Sequence, residues 1–246
     1  MPETVYLFDV DGTLTRPLTE VNDEFADIFL SWKRDKNKKV YLVTGSDIGK
    51  TKKQLFSSLM DQCEGIFTCS GNVFYSNGRK IYENKLELPS DFIENLQLYL
   101  DMGSPWKNKA GNHIEIRSGM VNFSTVGRNA SADLREAYYK WDQMHNERED
   151  IVDYIKGIYP EFEVSIGGTI SVDIYPVGKN KAQVVDKLQE IHGKDVSMIF
   201  VGDRNVPGGN DWPLAQRLES MEGSEWFQVL GYEETRALIQ YSELFR

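Results

Sequence analysis

Two aspartates separated by a single residue, Asp9 and Asp11, close the apolar run "VYLF" and are followed at once by Gly12. Carboxylates so spaced at the end of a buried segment can divide the work of phosphoryl transfer. One attacks phosphorus and carries the group as an aspartyl-phosphate. The other delivers a proton to the leaving oxygen and takes one from the next acceptor. Both can also bind Mg2+, which usually takes one or two carboxylates together with phosphate oxygens and water. An isolated Asp-x-Asp-Gly is as readily a turn, with aspartate capping and glycine at positive φ. The rest of the chain tips the balance. "VTGSD" sets Thr44 and Ser46 after a second apolar run, "IFVGD" sets Asp203 after another, and Lys181 precedes that last run. Hydroxyls and a lysine offset charge on a transferring phosphoryl group, the main task of this chemistry.

These groups meet only if the runs are parallel strands with their carboxyl ends together, where ligands bind in open α/β sheets. "VYLFDV", "KVYLVTG" and "GIFTCSG" read as strands. Between the first two, Val21, Phe25, Ile28, Phe29 and Trp32 share one helical face. "SDIGKTKKQLFSSLM" reads as a helix with Ser46 or Asp47 as its cap. Strand–helix alternation predicts right-handed crossovers and a parallel sheet. The pattern then changes to three hairpins, turning at Asn77-Gly78, Ser118-Gly119 and Gly167-Gly168. Helices are expected over "SDFIENLQLYLDM" and from Ser131 to about Tyr159. From Asn180 the α/β rhythm returns, with helix "NKAQVVDKLQEIHG", strand "VSMIFVGD" and a last helix near "EETRALIQYSELF". The expected layout is a parallel-sheet, Rossmann-like α/β core, residues 1–84 plus 177–246, interrupted by an inserted α+β module, residues 85–176.

Composition narrows the function. At 246 residues the chain needs no disulfide or metal staple to fold. Its two cysteines, Cys63 and Cys69, suit a reducing compartment. The start "MPETVYLFDV" has no basic segment leading into a long apolar one, and no run is long and apolar enough for a membrane span. The expected location is the cytoplasm, with no membrane partner. A net charge of −10 argues against nucleic acid as a partner. It does not exclude a small anion, because screening lets a local arginine cluster outweigh distant acids. "TGSDIGKTK" imitates a P-loop, but the residue five before Gly49 is Thr44 rather than glycine, which rejects that reading. His113, His145 and His192 make no metal spacing with the cysteines.

The arginines lie in the inserted module. "HIEIRSGMVNFSTVGRNASADLREAYYKWD" holds Arg117, Arg128 and Arg135, and arginine grips phosphate bidentately. "VSIGGTISVDIYP" adds Ser171 and Asp173 on one face of an expected strand, able to bond sugar hydroxyls. With "LFDVDGTLT", "GSD" and "GDRNVPGGND", these stretches resemble the eukaryotic-type phosphomannomutase family of the haloacid dehalogenase superfamily. The similarity covers most of the chain and weakens after Asp211.

That resemblance implies a haloacid dehalogenase core with an inserted cap domain. It implies an Mg2+-dependent mutase that interconverts mannose 1-phosphate and mannose 6-phosphate through a hexose bisphosphate, with hexose 1,6-bisphosphate as activator. Asp9 becomes the nucleophile and Asp11 the general acid/base, assisted by Lys181 and by Ser46 or Thr44. Asp9, the carbonyl of Asp11 and Asp203 become metal ligands, with Asn210 and Asp211 at this or a nearby cation site. Arg117, Arg128 and Arg135 take the second phosphate, and Ser171 and Asp173 take the sugar. Family members are cap-to-cap homodimers that supply GDP-mannose synthesis. The family commonly has arginine three residues after "DGTLT". Here that place is Leu18, with Arg16 as the candidate substitute. The same chemistry with water as acceptor would make a sugar-phosphate phosphatase. A silent sugar-phosphate-binding protein would have no need of Asp9, Asp11, Lys181 and Asp203 together.

Overall fold

The computed structural model describes residues 3–17 and 19–246; Leu18 lies outside the described residues. The chain divides into two compact units, residues 1–83 with 179–246, and residues 84–178.

The first unit is built on a sheet. Strand β1 (Thr4–Phe8) leads to helix α1 (Asp23–Asp35), strand β2 (Lys39–Val43), helices α2 (Ile48–Gln54) and α3 (Ser57–Gln62), and strand β3 (Gly65–Thr68). The hairpin β4 (Val73–Ser76) and β5 (Arg79–Glu83) follows. Asn77 and Gly78 both take positive φ at its two-residue turn, as the twist of such a hairpin requires. The second unit contributes α4 (Phe92–Leu98), β6 (Ile114–Arg117), β7 (Met120–Phe123), α5 (Ala132–His145), α6 (Glu147–Ile158), β8 (Phe162–Gly167) and β9 (Ser171–Pro176). The chain then completes the first unit with α7 (Gln183–His192), β10 (Ser197–Gly202), α8 (Trp212–Glu219), β11 (Glu225–Gln228) and α9 (Tyr232–Tyr241).

In the first sheet the strand order is β11-β10-β1-β2-β3-β4-β5. Pairing is parallel from β11 to β3 and antiparallel through β4 and β5. Both faces of the central strands are buried, so β1 runs apolar from Val5 to Phe8. Tyr6 and Phe8 pack with Phe25, Phe29 and Trp32 of α1 and Ile239 of α9. Val5 and Leu7 point the other way, to Val184, Val185 and Leu188 of α7 and Leu214 and Leu218 of α8. The second sheet, β6-β7-β9-β8, is antiparallel. One face carries Val121, Phe123, Val164, Val172 and Ile174 against Phe92, Leu96, Ile151 and Ile155.

Three expected elements differ. The helix read over residues 46–60 is two, because Leu55 and Phe56 take extended conformations between α2 and α3. The helical stretch from Ser131 breaks at Asn146, which takes a left-handed φ of 56° between α5 and α6. Cys69 to Gly71, read as the end of a strand, form a left-handed turn instead. The edge strand β11 carried no sequence expectation.

Candidate active site

Strand β1 ends at Phe8, and the parallel register delivers Asp9 beside the carboxyl end of β10, where Asp9 N donates to Val201 O (3.0 Å). The next turn closes on itself: Leu14 and Thr15 N–H groups donate to Val10 O at 3.0 Å each. Gly12 is obligatory here. Its φ is 83°, and a Cβ would lie 2.4 Å from Asp203 Oδ2.

Lys181 is completely buried and stands at the centre. Its Nζ donates to Asp9 Oδ1 at 2.6 Å and to Asp211 Oδ1 at 2.5 Å. Asp211 Oδ2 accepts from Arg204 N at 3.0 Å. Oxygens of Asp9, Asp203 and Asp211 all lie within 4.8 Å of one another. Burial, opposed by Lys181 but reinforced by Asp211 and Asp203, raises the Asp9 pKa well above the usual carboxylate range. Burial and then Asp211 push Asp203 up to about 7. Burial lowers the Lys181 pKa, but Asp211 and Asp9 together outweigh it and raise the ammonium's pKa overall. Three clustered carboxylates face the Lys181 ammonium, with the Arg204 guanidinium at 3.8 Å from Asp203, so negative charge is left over. That imbalance, on hard oxygen donors, fits a divalent cation.

Asp11 stands apart from this cluster. Burial pushes its pKa up, but Lys50 (Nζ to Oδ2, 2.7 Å), Gln54 (Nε2 to Oδ1, 2.9 Å) and Ser46 (Oγ to Oδ2, 3.0 Å) prevail and hold it at about 2. Lys50 and Gln54 sit one turn apart on α2, and Ser46, just before the helix cap, continues the same every-fourth-residue spacing. Asp47 caps that helix, accepting from Lys50 N at 2.8 Å. Lys50 and Gln54 were not singled out from sequence, yet this polar i, i+4, i+8 spacing is a signal that could have found them. Thr44 is buried and its hydroxyl accepts from Ser46 N at 3.1 Å, so it shapes the turn that presents Ser46. Asn210 shares the β10–α8 loop with Asp203 and Asp211. Arg16 is not drawn into the cluster; it is exposed, with Nη2 on Glu233 Oε1 at 3.1 Å and its guanidinium over Tyr232.

In the second unit, cross-strand pairing lines up Glu115, Asn122, Asp173 and Ser165 across the face opposite the apolar one. Asn122 Nδ2 donates to Asp173 Oδ1 at 2.8 Å, and Ser171 Oγ to Gly167 O at 3.2 Å. The Arg117 side chain is largely covered and is ion-paired through Nε to Glu115 Oε2 at 2.8 Å. Arg135 donates from Nε to Ala130 O at 2.9 Å and from Nη2 to Arg128 O, gathering the loop that carries Arg128. Burial, and then the charge of Arg128, lower the Arg135 pKa. Asn122 and Glu115 are further polar members of this face that sequence reading passed over.

The parallel sheet, with acids, hydroxyls and one lysine at its carboxyl ends, defines a haloacid dehalogenase-type α/β protein. Solved structures agree at the level of fold. A Thermoplasma acidophilum protein superposes with a TM-score of 0.61 at 18% identity, covering 100% of both chains. A trehalose-6-phosphate phosphatase related protein gives 0.55 at 18%, covering 97% of each. In sequence, the family model for eukaryotic phosphomannomutase matches residues 26–239. Phosphomannomutase 1 of Dictyostelium discoideum is 34% identical over 224 residues, 87% of this chain and 88% of that one. A phosphomannomutase of Triticum aestivum is 36% identical over 217 residues, 83% of each chain. The chain belongs to the eukaryotic phosphomannomutase family. Among the described residues, no helix is long and apolar enough to cross a membrane.

Proposed function

We propose that this protein is a phosphomannomutase, interconverting mannose 1-phosphate and mannose 6-phosphate by way of phospho-Asp9. The observation that carries the reading is the pairing of a buried Asp9 with Lys181 while Asp11, two residues on, is held in a separate hydrogen-bond set. In the first half-reaction the C6 hydroxyl oxygen attacks phospho-Asp9. The P–O bond to Asp9 breaks, and Asp11 takes the hydroxyl proton. Lys50 keeps Asp11 ionised, the form that accepts that proton. The bisphosphate then reverses its ends, and Asp9 attacks the C1 phosphorus. The bond to the sugar oxygen breaks, and Asp11 returns the proton to that oxygen, leaving mannose 6-phosphate and phospho-Asp9. Hexose 1,6-bisphosphate is the proposed source of the first phosphoryl group. Lys181 and Ser46 offset charge on the group in transit, and Thr44 orients Ser46.

Asp9, Asp203, Asp211, Asn210 and the Asp11 carbonyl are the proposed holders of Mg2+. When bound, the cation supplies positive charge that favours ionised Asp9 and balances the phosphoryl oxygens. Arg117, Arg128 and Arg135 are proposed to grip the phosphate not in transit, and Ser171 and Asp173 the sugar hydroxyls. Arg16 stays a candidate phosphate contact only if it leaves Glu233. We further propose a cytoplasmic homodimer formed through the 84–178 unit, feeding GDP-mannose synthesis. The exposure of Ile116 on the edge strand β6 supports that interface.

Phosphorus NMR of the protein with Mg2+, mannose 1-phosphate and a trace of hexose 1,6-bisphosphate tests the reading. Mannose 6-phosphate should accumulate. Inorganic phosphate alone would mean that water takes the group from Asp9, and a sugar-phosphate phosphatase would replace the mutase.

A further inference from the structure

The turn after β3 is bent in a way that side chains resist. Cys69, Ser70 and Gly71 take φ of 51°, 57° and 87° in succession. Such a run persists only where its surroundings over-determine it. On one side the turn is bonded to the segment that bears the candidate hydroxyls. Cys69 N donates to Ser46 O and Ser70 N to Thr44 O, both at 2.9 Å. On the other side it is bonded to the segment leading to Lys181. Gln183 Nε2 donates to Ser70 O at 2.9 Å and to Lys179 O at 2.8 Å. Asn72 Nδ2 donates to Cys69 O at 2.8 Å and to Lys179 O at 3.0 Å. The contact leaves no spare room, since a Cβ on Gly71 would lie 3.0 Å from Gln183 Cγ and 2.9 Å from Val184 Cγ1.

We propose that this left-handed turn, closed by Asn72 and Gln183, is a brace that fixes the spacing between Ser46 and Lys181, and that Gln183 is a positioning residue for phosphoryl transfer. The inference rests on the reading of Lys181 as part of the phosphoryl-transfer site. Lys179 O receives both amide donors two residues before Lys181, so the backbone that aims the buried ammonium is pinned where it enters the site. Gln183 itself is half-buried and contributes little to the core. Its amide instead joins two carbonyls that flank the site. An ammonium displaced by a fraction of an ångström no longer matches the charge it must offset, while binding of substrate elsewhere is untouched.

The test compares Gln183→Met, which keeps the length of the side chain and removes the amide, in two backgrounds. In the wild-type protein kcat should fall about 10-fold or more, with KM within about twofold and Tm little changed. In Lys181→Met protein, which has no ammonium left to aim, the same substitution should change residual turnover by less than about threefold. Equal losses in both backgrounds, or no loss in the first, would overturn the brace. Full turnover in Lys181→Met alone would instead overturn the reading of the site. Should Gln183→Met fail to fold, Asn72→Ser removes the other donor to Lys179 O and carries the same comparison.

Discussion

Asp9 sits where its own charge is resisted. Burial comes first, Lys181 opposes it, and Asp211 and Asp203 add to it, so the raised pKa is that of a carboxylate short of positive charge. Asp9→Asn removes that repulsion together with the nucleophile. Steady-state kinetics should show turnover lower by at least about 10³-fold, while calorimetry shows Tm unchanged or higher. Turnover near the wild-type value would remove Asp9 from the role of nucleophile. Cys63 offers a simpler reading of its surroundings. Burial, and then Glu64, push its thiol up to about 12. It is therefore protonated at neutral and mildly alkaline pH, and thiolate is the reactive form. Iodoacetamide at about pH 8 should label Cys63 at least about 100-fold more slowly in native than in denatured protein; comparable rates would mean that the site opens readily. Asp9 and Asp11 were legible as a pair because their spacing is local. Their different environments were not, because Lys50, Gln54, Lys181 and Asp211 come from distant parts of the chain.

The element that brings Arg128 and Arg135 together is the loop from β7 into α5. Ser131 caps α5 by accepting from Leu134 N at 3.3 Å, and Arg135, in the first turns, reaches back to the carbonyls of Ala130 and Arg128. Arg135→Ala therefore takes away a charge and releases the loop that presents Arg128. The KM for hexose phosphate should rise about 10-fold or more, since a hydrogen bond to a charged group contributes about 1.5–3 kcal/mol. Tm should fall by about 2–4 °C, and Arg135→Lys should recover part of the KM change. A Tm loss with KM unchanged would make Arg135 scaffold only. Hairpins were readable at this scale because Asn77-Gly78 and Ser118-Gly119 are turn chemistry written in adjacent residues. The break at Asn146 was not. It is held by Asp142, whose Oδ1 and Oδ2 accept from Arg148 N and Nε at 2.9 and 2.7 Å inside a buried cluster.

At the scale of the molecule, residues 84–178 form one continuous stretch with its own buried apolar core, whereas the other unit is assembled from two segments. A unit with its own core can fold alone. A fragment spanning 84–178 should show near-ultraviolet dichroism and a single cooperative melt; dye binding with no transition would mean that it depends on the rest of the chain. By itself the sequence determined the α/β class and the parallel start of the sheet, since apolar period and turn residues act over a few neighbours. It also named Asp9, Asp11 and Asp203 as chemistry-bearing residues at strand ends, with Lys181 at the start of a helix. Tertiary structure alone decided that Lys181 joins Asp9 to Asp211, that Asp11 belongs to Lys50, and that Arg16 turns to Glu233. Those outcomes depend on register between strands far apart in the chain and on which charge is left unbalanced once buried. No local spacing encodes either quantity.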